Sequence, residues 1–285
     1  LRRHAIARAP RWGVARMLRT HLPPGVRYLN IGHSHLENAV IGAIRKVPGG
    51  RATAMIHDTI PLDQSETVTE KSRARFQRAL NAALGCDLLL ANSAQTRADI
   101  LRFGGDSCPP IRVLHLGMEP RLVRATEPPP PDAPPTLVML GTIEPRKNHA
   151  LMLDIWAQFH NTRPPAAIPH LVIIGGRGWR NEEVFETLDT APFMDQSVHE
   201  VGRLDDRALS RALSHATALL FPSIAEGYGL PPMEAASIGL PVISADLAPV
   251  REILGDYPVY ADTADMQQWI NAIDDMVAAD RSSAW

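Results

Sequence analysis

The sequence alternates short apolar runs with amphipathic segments along most of its length, and this alternation limits the folds open to it. Apolar runs such as 52–56 have the length and composition of buried strands, and segments such as 69–84 have helical spacing. Consecutive parallel strands need a crossover between them, which is usually a helix. The pattern therefore predicts an α/β chain built on parallel sheets.

A proline-rich segment divides this alternation into two parts. Six prolines fall between Pro128 and Pro135, and proline is excluded from helix interiors and from central strands. We predict an N-terminal domain at residues 1–127, a stiff linker at 128–135 and a C-terminal domain at 136–285. The second domain has the pattern of a complete doubly wound unit, whereas the first is expected to be incomplete, without its opening strand and helix.

Composition and charge exclude several classes of protein. The chain has 285 residues, 45% of them hydrophobic, which is enough for two cores. A formal net charge of −2 argues against nucleic acid as a partner. Cys86 and Cys108 form no metal-binding or CxxC pattern, so a reduced, cytoplasmic protein is favoured over one with a disulfide. No apolar run approaches the roughly 18 residues of a membrane span.

The beginning of the chain is rich in arginine. Its apolar positions loosely fit a basic amphipathic helix over residues 4–20. One interpretation is a solvated helix packed on a sheet. The other is a surface that contacts lipid headgroups or an anionic acceptor, as a protein peripheral to the inner face of a membrane would need. The sequence leaves both open.

The segment EGYGLPPME, residues 226–234, places two carboxylates around a loop that contains two glycines and two prolines. It follows an apolar run and precedes a predicted helix, which is where open α/β sheets bind ligands. Glu234, about one turn into that helix, can accept hydrogen bonds from a ribose diol. Glu226 can bind sugar hydroxyls or balance a charge. The structural alternative for Glu234 is completion of a helix cap.

A second loop, GTIEPRKNH at residues 141–149, follows another predicted strand. Gly141 lets the backbone approach a ligand. Arg146 and Lys147 stand beside the start of the next helix, whose free N–H groups favour an anion such as a diphosphate. The alternative is a solvated basic turn. The glycine-rich loop GGRGWRNE is weaker evidence, and we assign no role to its Arg177.

A polar pair, His57 and Asp58, directly follows the predicted strand at 52–56. Polar groups at the end of a buried parallel strand point into the crevice where ligands bind. The alternative is that both side chains only cap a turn.

Together these motifs resemble glycosyltransferase family 4, which comprises retaining glycosyl transferases of group 1. Glu226 and Glu234 match the E-x7-E motif of that family, and GTIEPRKNH resembles its Gly-x-x-x-x-Arg-Lys-Asn segment. VHEVGRLDDRAL resembles its base-binding strand and turn, HDTIPL its active-site His loop, and ANSAQTRADI a passage late in its N-terminal domain. The likeness runs from about residue 26 to the end. It implies the GT-B fold, with two Rossmann-like domains facing a cleft.

The resemblance also implies roles for the matched residues. Arg146 and Lys147 would neutralise the donor diphosphate, and Glu234 would hold the ribose. Glu226 and His57 would contact the donor sugar, His57 from across the cleft. The residues expected to be catalytic are His57, Glu226, Arg146 and Lys147. Further positions expected to line the nucleotide-sugar site are Gly141, Gly202, Arg203, Leu204, Gly227, Tyr228, Gly229 and Leu230.

Neither a cofactor nor a metal is expected, because the nucleotide-sugar is a co-substrate and the family has no obligatory metal. No DxD motif follows a predicted strand, and the pair Asp205-Asp206 is better explained as a helix cap. The expected partners are a GDP- or UDP-sugar donor and a saccharide or lipid-linked saccharide acceptor. These substrates indicate polysaccharide biosynthesis.

Three functional hypotheses follow. The preferred one is a mannosyltransferase-like hexosyltransferase. An inactive or regulatory nucleotide-sugar-binding fragment of the same fold is the alternative, and the expected loss of N-terminal elements favours it. The third is a sugar epimerase or a phosphorylase of the same architecture. A phosphorylase needs a lysine-bound pyridoxal phosphate or an inorganic phosphate site, and the sequence shows no clear one.

Overall fold

The computed structural model describes residues 7–32, 34–118 and 133–279, which form two compact units. The first unit is Leu1–Leu116 and the second is Gly117–Trp285. The boundary between them precedes the proline-rich segment. Of the predicted linker at 128–135, residues 128–132 lie outside the described part of the chain, as do the first positions of the predicted helix at 4–20.

The N-terminal unit contains a parallel sheet with the strand order β1-β2-β3-β4. Its strands are β1 (Arg27–Asn30), β2 (Arg51–Ile56), β3 (Leu88–Ala91) and β4 (Ile111–Val113). The segment IRVLHLGM predicts a strand over residues 111–118, and this prediction is too long. Leu114 still donates its N–H to the carbonyl of Ala91, but the regular pairing ends at Val113.

Among the described residues of this unit, five α-helices accompany the sheet: α1 (Val14–His21), α2 (Asn38–Arg45), α3 (Ile60–Asp63), α4 (Glu70–Ala83) and α5 (Ala94–Gly104). The side chains of Thr69 and Ser93 accept hydrogen bonds from the first turns of α4 and α5 and so cap these helices. The predicted helix over 4–20 is wrong in extent, because α1 begins only at Val14. Pro10 and a short 3₁₀ turn at Arg11–Gly13 precede it.

The C-terminal unit contains a six-stranded parallel sheet with the order β10-β9-β8-β5-β6-β7. Its strands are β5 (Thr136–Leu140), β6 (His170–Ile174), β7 (Val198–Gly202), β8 (Ala218–Phe221), β9 (Val242–Ala245) and β10 (Val259–Ala261). Leu137 and Met139 pack into one hydrophobic cluster, and Val138 packs into another. Because neighbouring residues of a strand point to opposite faces, both faces of this sheet are buried.

The helices of the C-terminal unit are α6 (His149–Thr162), α7 (Glu182–Thr190), α8 (Asp206–Ser214), α9 (Leu230–Ser237), α10 (Ala248–Leu254) and α11 (Met266–Ala278). The chain runs from β5 outward to β6 and β7, then returns to β8 on the other side of β5. The strand order reverses between β5 and β8. Ligands of open α/β sheets bind at such a switch point, beyond the carboxyl ends of the strands.

Candidate functional site

The loops after β5 and β8 begin at the switch point, and they contain most of the predicted site residues. The loop after β5 contains a 3₁₀ turn, Pro145–Lys147, which ends at Asn148 with φ of 54°. Asparagine tolerates this left-handed conformation better than most residues, and α6 begins immediately after it. The loop after β8 contains Glu226. The backbone N–H of Ile224 donates to the carbonyl of Arg146 at 2.8 Å, which fixes one loop against the other.

Arg146 contacts residues of both loops. Its Nε lies 2.7 Å from Oε1 of Glu144, and its Nη1 lies 2.7 Å from Oε1 of Glu226. Nη1 also donates to the carbonyl of Ala225 at 3.3 Å. The guanidinium is therefore held by both loops, with 23% of the side chain exposed.

Lys147 is buried, so the alternative of a solvated basic turn is wrong for this residue. Its Nζ donates to Oε1 of Glu226 at 2.5 Å and lies 4.8 Å from the ring centroid of Phe221. Gly141 leaves the space for this side chain, because a Cβ there would lie 3.3 Å from Cε of Lys147. Gly141 also has φ of 142°, which favours glycine.

The cluster of Glu144, Arg146, Lys147 and Glu226 contains two carboxylates and two cations. Burial alone would raise the pKa of Glu226, but the charges and hydrogen bonds of Lys147 and Arg146 outweigh it and hold that pKa below its usual value. Burial raises the pKa of Glu144 and lowers the pKa of Lys147, in each case against the attraction of the neighbouring opposite charges. Glu226 is accordingly a carboxylate at neutral pH and accepts hydrogen bonds.

Two buried residues of this region were not predicted from the sequence. Glu144 is buried beside Arg146, and its only sequence signal is its place within GTIEPRKNH. His149, at the first position of α6, is only 2% exposed, and its Nδ1 finds no hydrogen-bond partner among the described residues. Burial, with a smaller contribution from the charge of Lys147, lowers the pKa of His149 to about 4. The imidazole is therefore neutral at pH 7.

Glu234 lies in the second turn of α9, and Ser237 Oγ donates to its backbone carbonyl at 2.7 Å. The helix starts after Gly229, which has φ of 101°. Residues with a side chain rarely adopt this backbone conformation, whereas glycine does so readily. Tyr228 is buried, whereas Leu230 is 43% exposed. The structure thus brings Arg146 and Lys147 into direct contact with Glu226. It places Gly227 and Gly229 on the same loop and Glu234 in the helix that follows.

The predicted base-binding turn follows β7. Gly202, with φ of 67°, accepts a hydrogen bond from the N–H of Gly175 at 2.8 Å. A Cβ on Gly176 would lie 3.2 Å from Nε of Arg203, so the arginine side chain covers this glycine. Leu204 follows, and the next residue, Asp205, accepts from the N–H of Ala208, which confirms that Asp205 caps α8.

Arg177, in the glycine-rich loop after β6, forms ion pairs with Asp189 at 2.6 Å and with Glu200 at 2.7 Å. Hydrogen bonds to these two carboxylates raise the pKa of the guanidinium. Its charge is therefore balanced by two carboxylates of its own surroundings.

In the N-terminal unit, His57 and Asp58 follow β2 as predicted. Nε2 of His57 lies 2.6 Å from the carbonyl oxygen of Ile31, so Nε2 carries the proton in this contact. Asp58 accepts from the N–H of Ile60 at 3.1 Å and so caps a turn. Asp58 therefore caps a turn, which is the alternative that the sequence left open. His57 instead forms a hydrogen bond with the loop that follows β1.

Comparison with protein families gives a match over residues 125–284, more than half of the chain. The matching family is described as glycosyl transferases group 1.

Among curated proteins, the serotype-specific mannosyltransferase WbdA of Escherichia coli is 28% identical over 272 residues. The alignment covers 86% of this chain and 32% of WbdA. The O-antigen chain mannosyltransferase B of Escherichia coli is 26% identical over 229 residues, which cover 76% of this chain and 58% of that protein. The chain thus spans about a third of the length of WbdA.

Solved structures with the same fold include HepE of Anabaena in complex with UDP and glucose. It has a TM-score of 0.69 and 16% identity, over 94% of this chain and 71% of HepE. Sucrose-phosphate synthase of Thermosynechococcus elongatus has a TM-score of 0.67 and 16% identity, over 88% of this chain and 64% of that one. These likenesses confirm the predicted α/β fold of the GT-B type.

Proposed function

The chain belongs to the glycosyl transferases group 1, and from this we propose that it transfers a sugar from a nucleotide-diphosphate donor to a saccharide or lipid-linked saccharide. The donor is a GDP- or UDP-sugar. Because the relatives WbdA and O-antigen chain mannosyltransferase B are named as mannosyltransferases, mannose is the first sugar to test. The reaction we propose is a step of polysaccharide biosynthesis.

One observation carries this proposal: two cations are held ready at the switch point of the C-terminal sheet. Arg146 and Lys147 lie at the carboxyl end of β5, where ion pairs with Glu144 and Glu226 fix them. Negative charge grows on a nucleoside diphosphate as the sugar leaves it. Cations that are already oriented in a partly buried site stabilise such charge without the cost of reorganisation.

The other residues of the loop after β8 suit the remainder of a nucleotide-sugar. Glu226 is a carboxylate at neutral pH, so we assign it to hydroxyl groups of the donor sugar. We assign Glu234 to the ribose diol. The backbone of Gly227–Leu230 is proposed to line the sugar and phosphates, and the backbone of Gly202–Leu204 the base. The buried ring of Tyr228 is consistent with a contribution from its backbone only.

We also assign His57 a catalytic role at the carboxyl edge of the N-terminal sheet. Its Nε2–H is engaged by the carbonyl of Ile31, which orients the ring. The transfer is proposed to retain the anomeric configuration and to need neither a metal nor a cofactor.

A bilayer-spanning helix needs about 20 apolar residues, and no helix in the described ranges meets that requirement. We propose a cytoplasmic protein, with the basic helix α1 as the place to test for peripheral membrane contact. In the structure α1 packs against α2, and its Leu18 contributes to the hydrophobic cluster of the N-terminal unit.

Thermal unfolding with a panel of nucleotides tests the donor site. A nucleoside diphosphate or nucleotide-sugar present at 100 times its dissociation constant adds about 2.7 kcal/mol of stability. We expect GDP or UDP, but not the matching nucleoside, to raise the midpoint of unfolding. The increase should be lost in Arg146→Ala. Equal effects of diphosphate and nucleoside, or no effect of any diphosphate, would reject the phosphate assignment.

A further inference from the structure

A groove opens in the N-terminal unit between α4 and the segment that follows β1. It has a volume of about 750 Å³ and is lined by residues 34–37 of the loop, by the first two residues of α2, and by Arg75, Arg78, Ala79 and Asn81 of α4. This volume lies in the range of small-molecule binding sites. We call it the arginine groove.

The loop side of the arginine groove is fixed by the core. Leu36 is only 4% exposed and belongs to the hydrophobic cluster of the N-terminal unit. Nδ2 of Asn30, at the end of β1, donates to the carbonyl of Ser34 at 2.8 Å. The core thus holds this side of the groove in place, and a site that is already ordered lowers the entropic cost of binding a ligand.

Arg75 and Arg78 lie one turn apart on α4 and line the same groove. Neither forms an ion pair with a carboxylate in the described part of the chain, whereas the nearby Arg73 pairs with Glu70 at 3.3 Å. Guanidinium groups bind phosphate oxygens with paired hydrogen bonds, and this geometry suits a phosphate better than a single hydroxyl.

The opposite side of the groove contains Glu37 and His35, together with Ser34 and Asn38. A carboxylate beside amide and hydroxyl groups suits the hydroxyls of a sugar. The groove therefore combines a phosphate-binding side with a hydroxyl-binding side.

We propose that the arginine groove binds the phosphate or diphosphate group of a phosphorylated saccharide, with Arg75 and Arg78 as the phosphate ligands. This inference rests on the proposed function, because it identifies that saccharide as the acceptor. The groove and the assigned catalytic histidine both involve the segment that follows β1. His57 contacts the carbonyl of Ile31, and the groove-lining residues begin at Ser34 of the same loop.

Isothermal titration calorimetry with inorganic pyrophosphate tests the groove on the whole chain. The variants are Arg75→Ala/Arg78→Ala and the matched control Lys71→Ala/Arg73→Ala, which removes the same charge from the same helix outside the groove. All titrations are repeated with Arg146→Ala added, so that binding at the proposed donor site is recognised. Because each guanidinium donates charge-assisted hydrogen bonds to phosphate oxygens, we expect Arg75→Ala/Arg78→Ala to bind at least about tenfold more weakly. The control should match the wild type.

Unchanged affinity in Arg75→Ala/Arg78→Ala would overturn the proposal, as would an equal loss in Lys71→Ala/Arg73→Ala, which would indicate general electrostatic attraction. A second arm measures sedimentation with phosphatidylglycerol and phosphatidylcholine vesicles. If Arg75→Ala/Arg78→Ala weakens binding to phosphatidylglycerol vesicles but not binding of pyrophosphate, the two arginines contact membrane headgroups. The proposal that they bind a phosphate within the groove is then wrong. Failure of the proposed function is a separate result, since it appears as absence of donor turnover in the wild type.

Discussion

Glu226 occupies the most constrained position of the candidate site. Its side chain is 10% exposed and contacts both Lys147 and Arg146. The attraction within such a buried pair only roughly repays the cost of removing the charges from water. The pair therefore contributes little net stability as a unit, whereas loss of one member leaves the other charges uncompensated.

Glu226→Gln tests this coupling. The substitution keeps the shape of the side chain but leaves Arg146 and Lys147 with Glu144 as the remaining carboxylate of the cluster. Breaking a buried pair typically costs about 3–5 kcal/mol, and we expect a decrease of this order in the free energy of unfolding of the C-terminal unit. Chemical denaturation measures it. The exposed Glu183→Gln is the control, and a loss no larger than that of the control would contradict the coupling.

His149 predicts a dependence of stability on pH. Its pKa of about 4 in the folded chain lies below the ordinary value of 6.5, so the unfolded state binds a proton first as the pH falls. The free energy of unfolding therefore decreases as the pH falls from about 6.5 to 4. His149 accounts for roughly 3 kcal/mol of this decrease. Urea denaturation at pH 7, 5.5 and 4.5 should show a shallower decline in His149→Leu than in the wild type. Parallel declines would contradict this, and the exposed His21→Leu serves as control.

Sequence alone could identify the charged residues of the site but not their mutual contacts. Arg146, Lys147, Glu226 and Glu234 stand in recognisable motifs. The burial of Glu144 and His149 depends on how the loops after β5 and β8 pack together. Periodicity and spacing within one segment contain no information on such packing.

At the scale of elements, close contact between loops shapes the edge of the C-terminal sheet. A Cβ on Gly175 would lie 1.8 Å from the carbonyl oxygen of Gly141, which no side chain permits. A Cβ on Gly178 would lie 2.8 Å from Cγ2 of Thr142. The loop after β6 therefore supports the loop that holds Arg146 and Lys147.

Gly175→Ala should displace the loop after β5. Insertion of a methyl group into a filled space usually costs about 1–3 kcal/mol, and occasionally more. Because the overlap here is with backbone, we expect the upper end of that range, together with weaker binding of nucleoside diphosphate. Calorimetric unfolding measures the first effect and titration the second. Gly117→Ala, where a Cβ meets nothing within 4 Å, should change stability by less than about 0.5 kcal/mol. Similar results for both variants would contradict the proposed support.

The alternation of strands and helices was predictable because apolar runs and helical spacing are local properties. The residues at which strands and helices end were less predictable. The strand predicted at 111–118 ends at Val113 because its length depends on pairing with β3. The return of the chain from β7 to β8, which creates the switch point, is a property of the whole sheet.

At the scale of the whole molecule, each unit has its own sheet and hydrophobic cluster. A domain with its own core can fold alone. We therefore expect a chain of residues 117–285 to unfold cooperatively on heating and to bind a nucleoside diphosphate. Differential scanning calorimetry and titration check this. A fragment without a cooperative transition would show that the C-terminal core depends on the rest of the protein.

We propose above that the chain transfers a sugar from a nucleotide-sugar held by the loops after β5 and β8. The most direct test is release of nucleoside diphosphate from GDP- and UDP-sugars, GDP-mannose included, by the wild type, Arg146→Ala, Glu234→Ala and the control Arg177→Ala. Loss of one group that stabilises developing charge typically lowers turnover by about 100-fold or more. We predict release by the wild type and Arg177→Ala, and a loss of that size in Arg146→Ala, with strong impairment in Glu234→Ala. Equal rates in all four proteins, or no release by the wild type from any donor, would contradict the account.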